Sequence, residues 1–464
     1  MAGNTTVSKR VGMDLTQGKI LHTLLAVAVP LLLADLLQQL YSMVDLIVIG
    51  QFVGSTGTVA VSTGSEVSDI LTPIATGFAT AGQVYIAQLM GSKNYRDVEK
   101  AVGTLLTVML GLCVAFTIGT LAGHRILLDI LNCPEEAYEQ AASYMVITAF
   151  GIPFIFMYNA ICGVLRGMGE TRRPMVFVLV AASVNIVLDL ILVVAFSLDA
   201  AGTAIATAAA QAGSAIAAMV FLYRRREYLG FTLRASSFGI DRHSLSVLLR
   251  LGIPKIFSGL CVRVSLLWCK SQINAYGLIA SATYSVGNKL QKLCIVFVQS
   301  VSSGSATMVG QNLGAGKKER VRKIVWTTFA CTMVSATVLS ALSLLFPRQL
   351  YGIFSKDSEV IEAGVTFMRI LCITFYMAGF YSSFLSVVTG SGFARLEFVT
   401  GMMDGVVCRI GFSLLFVYVV GIGVEGYYLG SALARFLPGV ICLIYFLSGK
   451  WKDKKLLSER KGKT

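Results

Sequence analysis

Long apolar runs follow one another along almost the whole chain, and they constrain the fold more than any other feature. A helix needs about 20 apolar residues to cross a bilayer, and most of these runs reach that length. Only 14% of the 464 residues are charged, whereas a soluble domain carries about 25%. We therefore predict an all-α polytopic membrane protein with twelve transmembrane helices, at residues 24–50, 58–88, 101–123, 138–165, 174–196, 201–223, 247–275, 281–312, 324–346, 360–389, 397–420 and 426–449.

Lysine and arginine concentrate in alternate loops, such as 93–100 and 317–323, and in the C-terminal tail. Loops rich in these residues stay in the cytoplasm, so the pattern predicts a multi-pass protein of the plasma membrane with both termini cytoplasmic. The same pattern explains the net charge of +14 without a nucleic acid. The partners that we expect are the lipid bilayer and a small-molecule substrate, with the chain acting as a monomer.

The two halves of the chain resemble each other at a constant separation of 223 residues. Gln88 matches Gln311, and GMGETRRP from residue 167 matches GSGFARLE from residue 390. Each half holds six spans, so both halves have the same orientation, and transporters built in this way bind their substrates near the bilayer midplane. The predicted division is a cytoplasmic N-terminal segment (1–23), an N-lobe (24–226), a cytoplasmic linker (227–246), a C-lobe (247–449) and a basic cytoplasmic tail (450–464).

Four polar residues of the first half are predicted to lie at similar depth in the outer half of the membrane: Asp45, Asn185, Asp189 and Thr207. The estimate counts residues along each span, because a helix rises about 1.5 Å per residue. Asn185 and Asp189 are four residues apart and share a helix face. Oxygen atoms of this kind suit Na⁺, and two adjacent carboxyls can also share a proton. We therefore predict a site that couples transport to a cation or a proton, with transient Na⁺ at Asp45 and Asp189 as one option.

A second polar group lies deeper in span 1, where Asp35 has Gln38 and Tyr41 as neighbours. We predict that these three side chains line the substrate cavity. Pro30 precedes them, and a proline removes one helical hydrogen bond, so we expect the span to bend there. A fixed kink near the inner end and a moving hinge are both compatible with this proline.

The repeat aligns two acids of span 2 with two lysines of span 8, and the second half adds arginines at mid-membrane depth. Charges at this depth normally face a cavity or a partner. Two interpretations stay open: the opposite charges form a gate between the halves, or the basic half binds an anionic part of the substrate. The residues of this substrate cavity or gate are Glu66, Asp69, Arg263, Lys289, Lys292, Arg409 and Arg435.

The chain lacks the motifs of several other function classes. GAGKK at residues 314–318 has neither the four-residue spacer nor the Ser or Thr of a phosphate-binding loop, so transport has to use an ion gradient. No histidine lies inside a span, which argues against an intramembrane enzyme. We expect no catalytic residue, no resident metal and no cofactor, with Na⁺ or H⁺ as the coupling ion.

Four segments resemble the prokaryotic branch of the multidrug and toxic compound extrusion (MATE) family: PLLLADLLQQLYSMVDLIVIG from residue 30, VGQNLGAGK from 309, LRGMGETRRP from 165 and NIVLD from 185. The resemblance implies two six-helix lobes arranged as a V around a central cleft, and drug efflux by Na⁺ or H⁺ antiport. It carries the family's N-lobe cation site onto Asp45, Asn185, Asp189 and Thr207. The bend of span 1 carries over to Pro30.

The resulting prediction is a secondary active transporter that exports drugs or other amphipathic organic compounds by alternating access between two lobes. The alternative is a flippase of the same fold for a lipid-linked or anionic precursor of the cell envelope. The chain departs from the family in one respect, because some Na⁺-coupled members place acids in spans 7 and 10. Here span 7 carries Arg263 and Lys270, and span 10 offers only Glu362 at its rim. This departure argues against a second cation site in the C-lobe, and it weakens the assumption that every substrate is an organic cation.

Overall fold

Helices form almost all of the secondary structure in the computed structural model, which describes residues 13–225 and 238–457. The described residues contain no β-strand. Parts of the predicted N-terminal segment, linker and tail (1–12, 226–237 and 458–464) lie outside the described residues.

The helices of the first half follow one another with short connections. Asn94 begins one of them as an N-cap, because its side chain accepts a hydrogen bond from the backbone N–H of Asp97. The elements of this half are α1 (Ile20–Phe52), α2 (Gly54–Gly91), α3 (Tyr95–Ile130), α4 (Glu135–Ala149), α5 (Ile152–Gly167), α6 (Arg172–Asp189), the π-helix π1 (Leu190–Ala195) and α7 (Asp199–Arg224).

The second half repeats this arrangement and contains two further π-helical turns. Asp357 caps one of its long helices by accepting a hydrogen bond from the N–H of Glu359 at 2.9 Å. The elements are α8 (Arg242–Asn274), α9 (Leu278–Gly314), α10 (Lys318–Leu345), α11 (Pro347–Gly352), α12 (Ser358–Gly390), α13 (Ala394–Met402), π2 (Met403–Cys408), α14 (Arg409–Leu414), π3 (Leu415–Val419), α15 (Glu425–Leu433) and α16 (Phe436–Leu447).

The described helices bear out the predicted membrane protein. Eleven segments are long and apolar enough to cross a bilayer, and there are twelve if α4 and α5 are counted together as one span. These two helices are bent by 44° at their junction, where Pro153 lies at the start of α5, a position that proline favours. The all-α, twelve-span prediction is confirmed, and span 4 consists of a bent pair of helices.

The chain divides into two compact units. Among the described residues, most of the first unit is Leu33–Gly252, and the second comprises Leu15–Leu32 together with residues 253–457. Both α1 and α8 are therefore shared between the units, and each division falls within two residues of an internal proline, Pro30 in α1 and Pro254 in α8. The lobe boundaries expected from the sequence stay a prediction.

Each unit has its own apolar core. In the first, α2 packs against α4 and α5, and the buried residues Ile49, Leu128 and Tyr144 belong to one cluster. In the second, α12 packs against α9 and α10, and Phe384 and Phe446 contact each other with ring centroids 5.6 Å apart. These cores hold the helices that carry the polar groups described below.

Two glycines permit close helix contacts, and they occupy equivalent positions of the repeat. A Cβ atom on Gly167 would lie 2.7 Å from the carbonyl oxygen of Gln83, and one on Gly390 would lie 2.8 Å from the carbonyl oxygen of Ala306. Both members of the second pair lie 223 residues after their counterparts. The duplication therefore extends from the sequence to the packing of α5 on α2 and of α12 on α9.

We predict that Gly167→Ala and Gly390→Ala each destabilise the protein by about 1–3 kcal/mol, because the new methyl group forces two backbones apart. The measurement is the melting temperature of the detergent-purified protein. Gly111→Ala is the matched control, since no atom lies within 4 Å of a Cβ at that position of α3. An equal effect of all three substitutions would contradict the proposed close packing.

Candidate functional site

A polar site in the first unit brings together Asp45 of α1 with Asn185 and Asp189 of α6. Asp189 is completely buried and Asn185 is 1% exposed, whereas Asp45 is half-buried. The carboxyl groups of Asp45 and Asp189 interact directly. Asp45 is therefore close to Asp189, and Asn185 shares a helix face with Asp189. These are three of the four residues that the sequence predicted for ion coupling.

The local backbone explains the position of Asp189. It is the last residue of α6, and π1 begins at Leu190 immediately after it. A π-helical turn inside a helix is rare and is often found at functional sites, because it changes the direction of neighbouring side chains. Asn185 and Asp189 are thus one helical turn apart, and Asp189 lies where the α-helix changes into a π-helix.

The site has an unusual deficit of hydrogen bonds. Both carboxylate oxygens of Asp189, both polar atoms of the Asn185 amide and Oδ1 of Asp45 are buried without a hydrogen bond of normal geometry to any described residue. Buried polar groups are nearly always satisfied, and an unsatisfied one costs about 1–3 kcal/mol. The arrangement can bind a small cation through its oxygens, or it can take up a proton between the two carboxyls.

The first unit contains further buried polar groups that the sequence did not single out. Tyr144 of α4 is buried and within electrostatic reach of Asp45 and Asp189. Oε1 of Gln140, one turn before Tyr144, and Oγ1 of Thr203 of α7 are also buried without a hydrogen-bond partner among the described residues. Nothing in the sequence marks them, because Tyr, Gln and Thr also occur in ordinary membrane helices.

The predicted hydroxyl ligand, Thr207, is half-buried on α7. It follows Thr203 by four residues and therefore lies on the same helix face. Its role at the site stays a prediction.

The residues that were predicted near the deep end of span 1 lie along the same helix as Asp45. Asp35 and Tyr41 are half-buried and Gln38 is exposed. Tyr41 interacts with Gln38 and, electrostatically, with Asp45. Pro30 is buried within α1, which continues through it as one helix.

The second unit contains a different charge cluster. Arg409 Nη2 donates to Asp404 Oδ1 at 2.8 Å, and Arg435 Nε lies 3.5 Å from the other carboxylate oxygen. Asp404 and Arg409 are 4% and 3% exposed. The sequence predicted both arginines but missed Asp404, which lies five residues before Arg409 across π2.

The remaining predicted charges lie nearer to the surface. Lys289, Lys292 and Asp69 are exposed, whereas Glu66 and Arg263 are half-buried. The pairs predicted between the two acids and the two lysines would join the two units, and they stay a prediction.

Comparison with known proteins identifies the family. The MatE family model matches residues 30–191 and 254–419, which are equivalent parts of the two halves. The chain belongs to the MATE family. The two matches contain the polar site of the first unit and most of the second unit's helices.

Similar proteins include MATE relatives that match over nearly their full length. The probable multidrug resistance protein YpnP of Bacillus subtilis is 23% identical over 96% of this chain and 99% of its own. The probable multidrug resistance protein NorM of Thermotoga maritima is 22% identical over 96% of both chains. A crystal structure of a MATE protein in complex with MaL6 has a TM-score of 0.90 at 21% identity, covering 96% of this chain and 99% of that one.

We predict different effects when Asp189 and Asp404 of this MATE protein are each replaced by asparagine. Asp189→Asn should change the melting temperature in Na⁺-free buffer little, because no hydrogen bond among the described residues depends on its carboxylate and the carboxyl pair can already hold a proton. Asp404→Asn should destabilise the protein by about 3–5 kcal/mol, because it leaves two guanidinium groups without their shared counter-charge.

Melting of the detergent-purified variants measures this difference. Glu139→Gln is the control, since its side chain is 78% exposed and its ion pair with Arg125 is 3.6 Å long; it should change little. A similar loss of stability in both aspartate variants would mean that folding depends on the Asp189 carboxylate as much as it does on that of Asp404.

Proposed function

We propose that this protein is a secondary active efflux transporter that exports amphipathic organic compounds in exchange for Na⁺ or H⁺. Asp45, Asn185 and Asp189 take up the coupling ion. The observation that carries the proposal is that five buried polar atoms on these three residues have no hydrogen-bond partner in the described part of the chain. In a purely structural cluster, the buried polar atoms would form hydrogen bonds with other groups of the protein. A site that takes up and releases an ion instead needs polar atoms that are free to bind that ion.

Both coupling ions fit the chemistry of the site. For Na⁺, the oxygens of two carboxylates and one carboxamide supply hard ligands, and the hydroxyl of Thr203 or Thr207 can add another. For H⁺, two carboxyls that interact directly favour a shared proton, because like charges this close cannot both ionise easily. In both cases the bound ion neutralises charge that is otherwise uncompensated inside the membrane.

Ion uptake is coupled to transport through α1, which carries Asp45 and also Pro30. An ion that binds one conformation of α1 better than another shifts the equilibrium between them, and the missing hydrogen bond at Pro30 makes the helix easier to bend there. One elementary charge that crosses 100 mV supplies about 2.3 kcal/mol, enough for a substrate gradient of roughly fifty-fold. Alternating access then exports substrate as the ion enters.

The family and the charge pattern support outward transport of the substrate. The relatives in Bacillus subtilis and Thermotoga maritima are called probable multidrug resistance proteins, which supports efflux over the flippase alternative. The basic loops support cytoplasmic termini. Substrate is therefore collected on the cytoplasmic side and released outside.

We predict that Asp189→Asn abolishes ion-driven efflux while the protein still folds. Purified protein in lipid vesicles is given a Na⁺ jump in one experiment and a pH jump in another, and transport of a fluorescent organic cation is followed. The wild type should respond to at least one of the two gradients, and the variant to neither, because asparagine cannot exchange a proton or neutralise a cation.

The matched control is Asp129→Asn, at the last turn of α3, where the carboxylate accepts a hydrogen bond from Tyr138 at 2.8 Å. It should transport like the wild type. Undiminished antiport by Asp189→Asn would refute the coupling role, and the gradient that drives the wild type identifies the ion.

A further inference from the structure

One side of α10 in the second unit is exposed and changes from basic to apolar along the helix. Residues at intervals of four form a ridge on a helix surface. The members of this ridge are all exposed, and we call them the α10 ridge: Lys318, Arg322, Trp326, Ala330, Val334, Val338 and Leu342. A single tryptophan therefore separates the basic end of the ridge from its apolar part.

Arg322 and its neighbour Lys323 carry two positive charges that the second unit does not neutralise by ion pairing. Both side chains are exposed, and no described residue forms a salt bridge with either of them. Glu319, one turn earlier, lies within electrostatic reach of both, but its carboxylate forms a salt bridge with Lys452 at 3.1 Å. The two cations are therefore available to an anion from outside the protein.

Trp326 is held in place by three phenylalanines. Its ring meets those of Phe329, Phe384 and Phe446 at steep angles, with centroid separations of 5.9, 5.8 and 5.9 Å. The side chain is nevertheless 41% exposed, and none of the described residues accepts a hydrogen bond from its indole N–H. A packed tryptophan with an available N–H is typical of the level of the lipid headgroups.

The order of groups along the ridge matches the order of groups in a phospholipid. At about 1.5 Å per residue, Arg322 lies about 6 Å nearer to the basic end of α10 than Trp326 does. Beyond Trp326 the ridge is apolar. A phosphate fits at the two cations, an ester carbonyl oxygen can accept from the indole N–H, and an acyl chain fits along the rest of the ridge.

The equivalent helix of the first unit lacks these features. At the repeat separation of 223 residues, the two cations and the tryptophan correspond to Glu99, Lys100 and Gly103 of α3. Lys100 forms a salt bridge with Asp97 at 3.6 Å. The general excess of basic residues on one side of a membrane protein applies to both halves, so it does not explain why only the second half has unpaired cations beside a tryptophan.

The corresponding part of α3 is instead covered by the chain itself. Thr107 Oγ1 donates to the backbone oxygen of Phe238 at 2.8 Å, and the backbone N–H of Asp241 donates to Thr104 Oγ1 at 3.0 Å. Thr107 corresponds to Ala330 of α10, which is exposed. One half of the duplicated structure thus uses this helix surface to bind its own linker, whereas the other half leaves it open.

We propose that the α10 ridge binds one anionic phospholipid, with the phosphate at Arg322 and Lys323 and an acyl chain along the apolar part. Arginine and lysine both form strong hydrogen bonds with phosphate oxygens. A zwitterionic lipid fits less well, because its ammonium group would lie close to the same two cations. The site belongs to the second unit and is separate from Asp45 and Asp189, so it does not depend on the proposed ion coupling.

Quenching of tryptophan fluorescence by brominated lipids tests this site. The full-length protein is reconstituted in phosphatidylcholine vesicles that contain increasing amounts of dibrominated phosphatidylglycerol or of dibrominated phosphatidylcholine with the same chains. The chain has three tryptophans, so Trp326→Phe is measured in parallel and its signal is subtracted. We expect the site beside Trp326 to prefer phosphatidylglycerol over phosphatidylcholine by at least about threefold, because two cations attract the anionic headgroup.

The double variant Arg322→Gln/Lys323→Gln should lose this preference, because it removes both cations. The matched control is Arg96→Gln/Lys100→Gln on α3, which removes two exposed cations of the first unit. It should keep the preference of the wild type. Each double variant is compared with its own Trp326→Phe version.

Equal quenching by the two lipids in the wild type would overturn the proposal. An equal loss of preference in both double variants would also overturn it, because the attraction would then depend on the overall charge of the protein.

Melting of the protein in detergent gives a second measurement that needs no change of tryptophan. Phosphatidylglycerol should raise the melting temperature of the wild type more than phosphatidylcholine does, and this difference should disappear in Arg322→Gln/Lys323→Gln. Soluble glycerol 1-phosphate should have no such effect, because it lacks the acyl chains that the apolar part of the ridge holds. Equal stabilisation by glycerol 1-phosphate would mean that the cations bind a free anion, and the assignment to a lipid would be wrong.

Discussion

A carboxylate inside a bilayer needs a counter-charge or a proton, and the two units meet this requirement in opposite ways. In the first, Asp189 is completely buried and neither of its oxygens has a hydrogen-bond partner among the described residues. In the second, Asp404 has two arginines. The same duplicated architecture therefore contains one site that is short of positive charge and one that has an excess of it. Neutralisation of buried charge is thus a constraint that both polar groups of the fold have to meet.

Local distortions of the helix accompany both sites. Asp189 immediately precedes π1. Asp404 lies within π2, and this π-helix ends directly before Arg409. Residues five apart on an α-helix point in different directions, but a π-turn pairs i with i+5. The distortion therefore allows a side chain to meet a partner that regular helix geometry would keep apart. Such turns cost stability, and their position at the charged residues fits a functional origin.

The sequence was informative where regular helix geometry holds and misleading where it does not. Counting residues along straight helices was enough to predict Asp45, Asn185 and Asp189, because charged and amide groups stand out in apolar runs. The partnership of Asp404 with Arg409 was missed, since its five-residue spacing belongs to no α-helical pattern. The break between α4 and α5 was also missed, because the apolar run continues through it. Tyr144 escaped attention because its neighbours come from distant parts of the chain.

The way in which α1 and α8 are shared has a consequence for how the protein can be assembled. The second unit includes Leu15–Leu32 from the start of the chain, and the backbone N–H of Leu15 donates to the side chain of Gln311 at 3.1 Å. The first unit in turn extends to Gly252, beyond the end of its own six spans. A gene divided between the halves would give two fragments that each lack a piece of their own core. Co-translation as one polypeptide, rather than later pairing of separate halves, is therefore the natural route to the mature transporter.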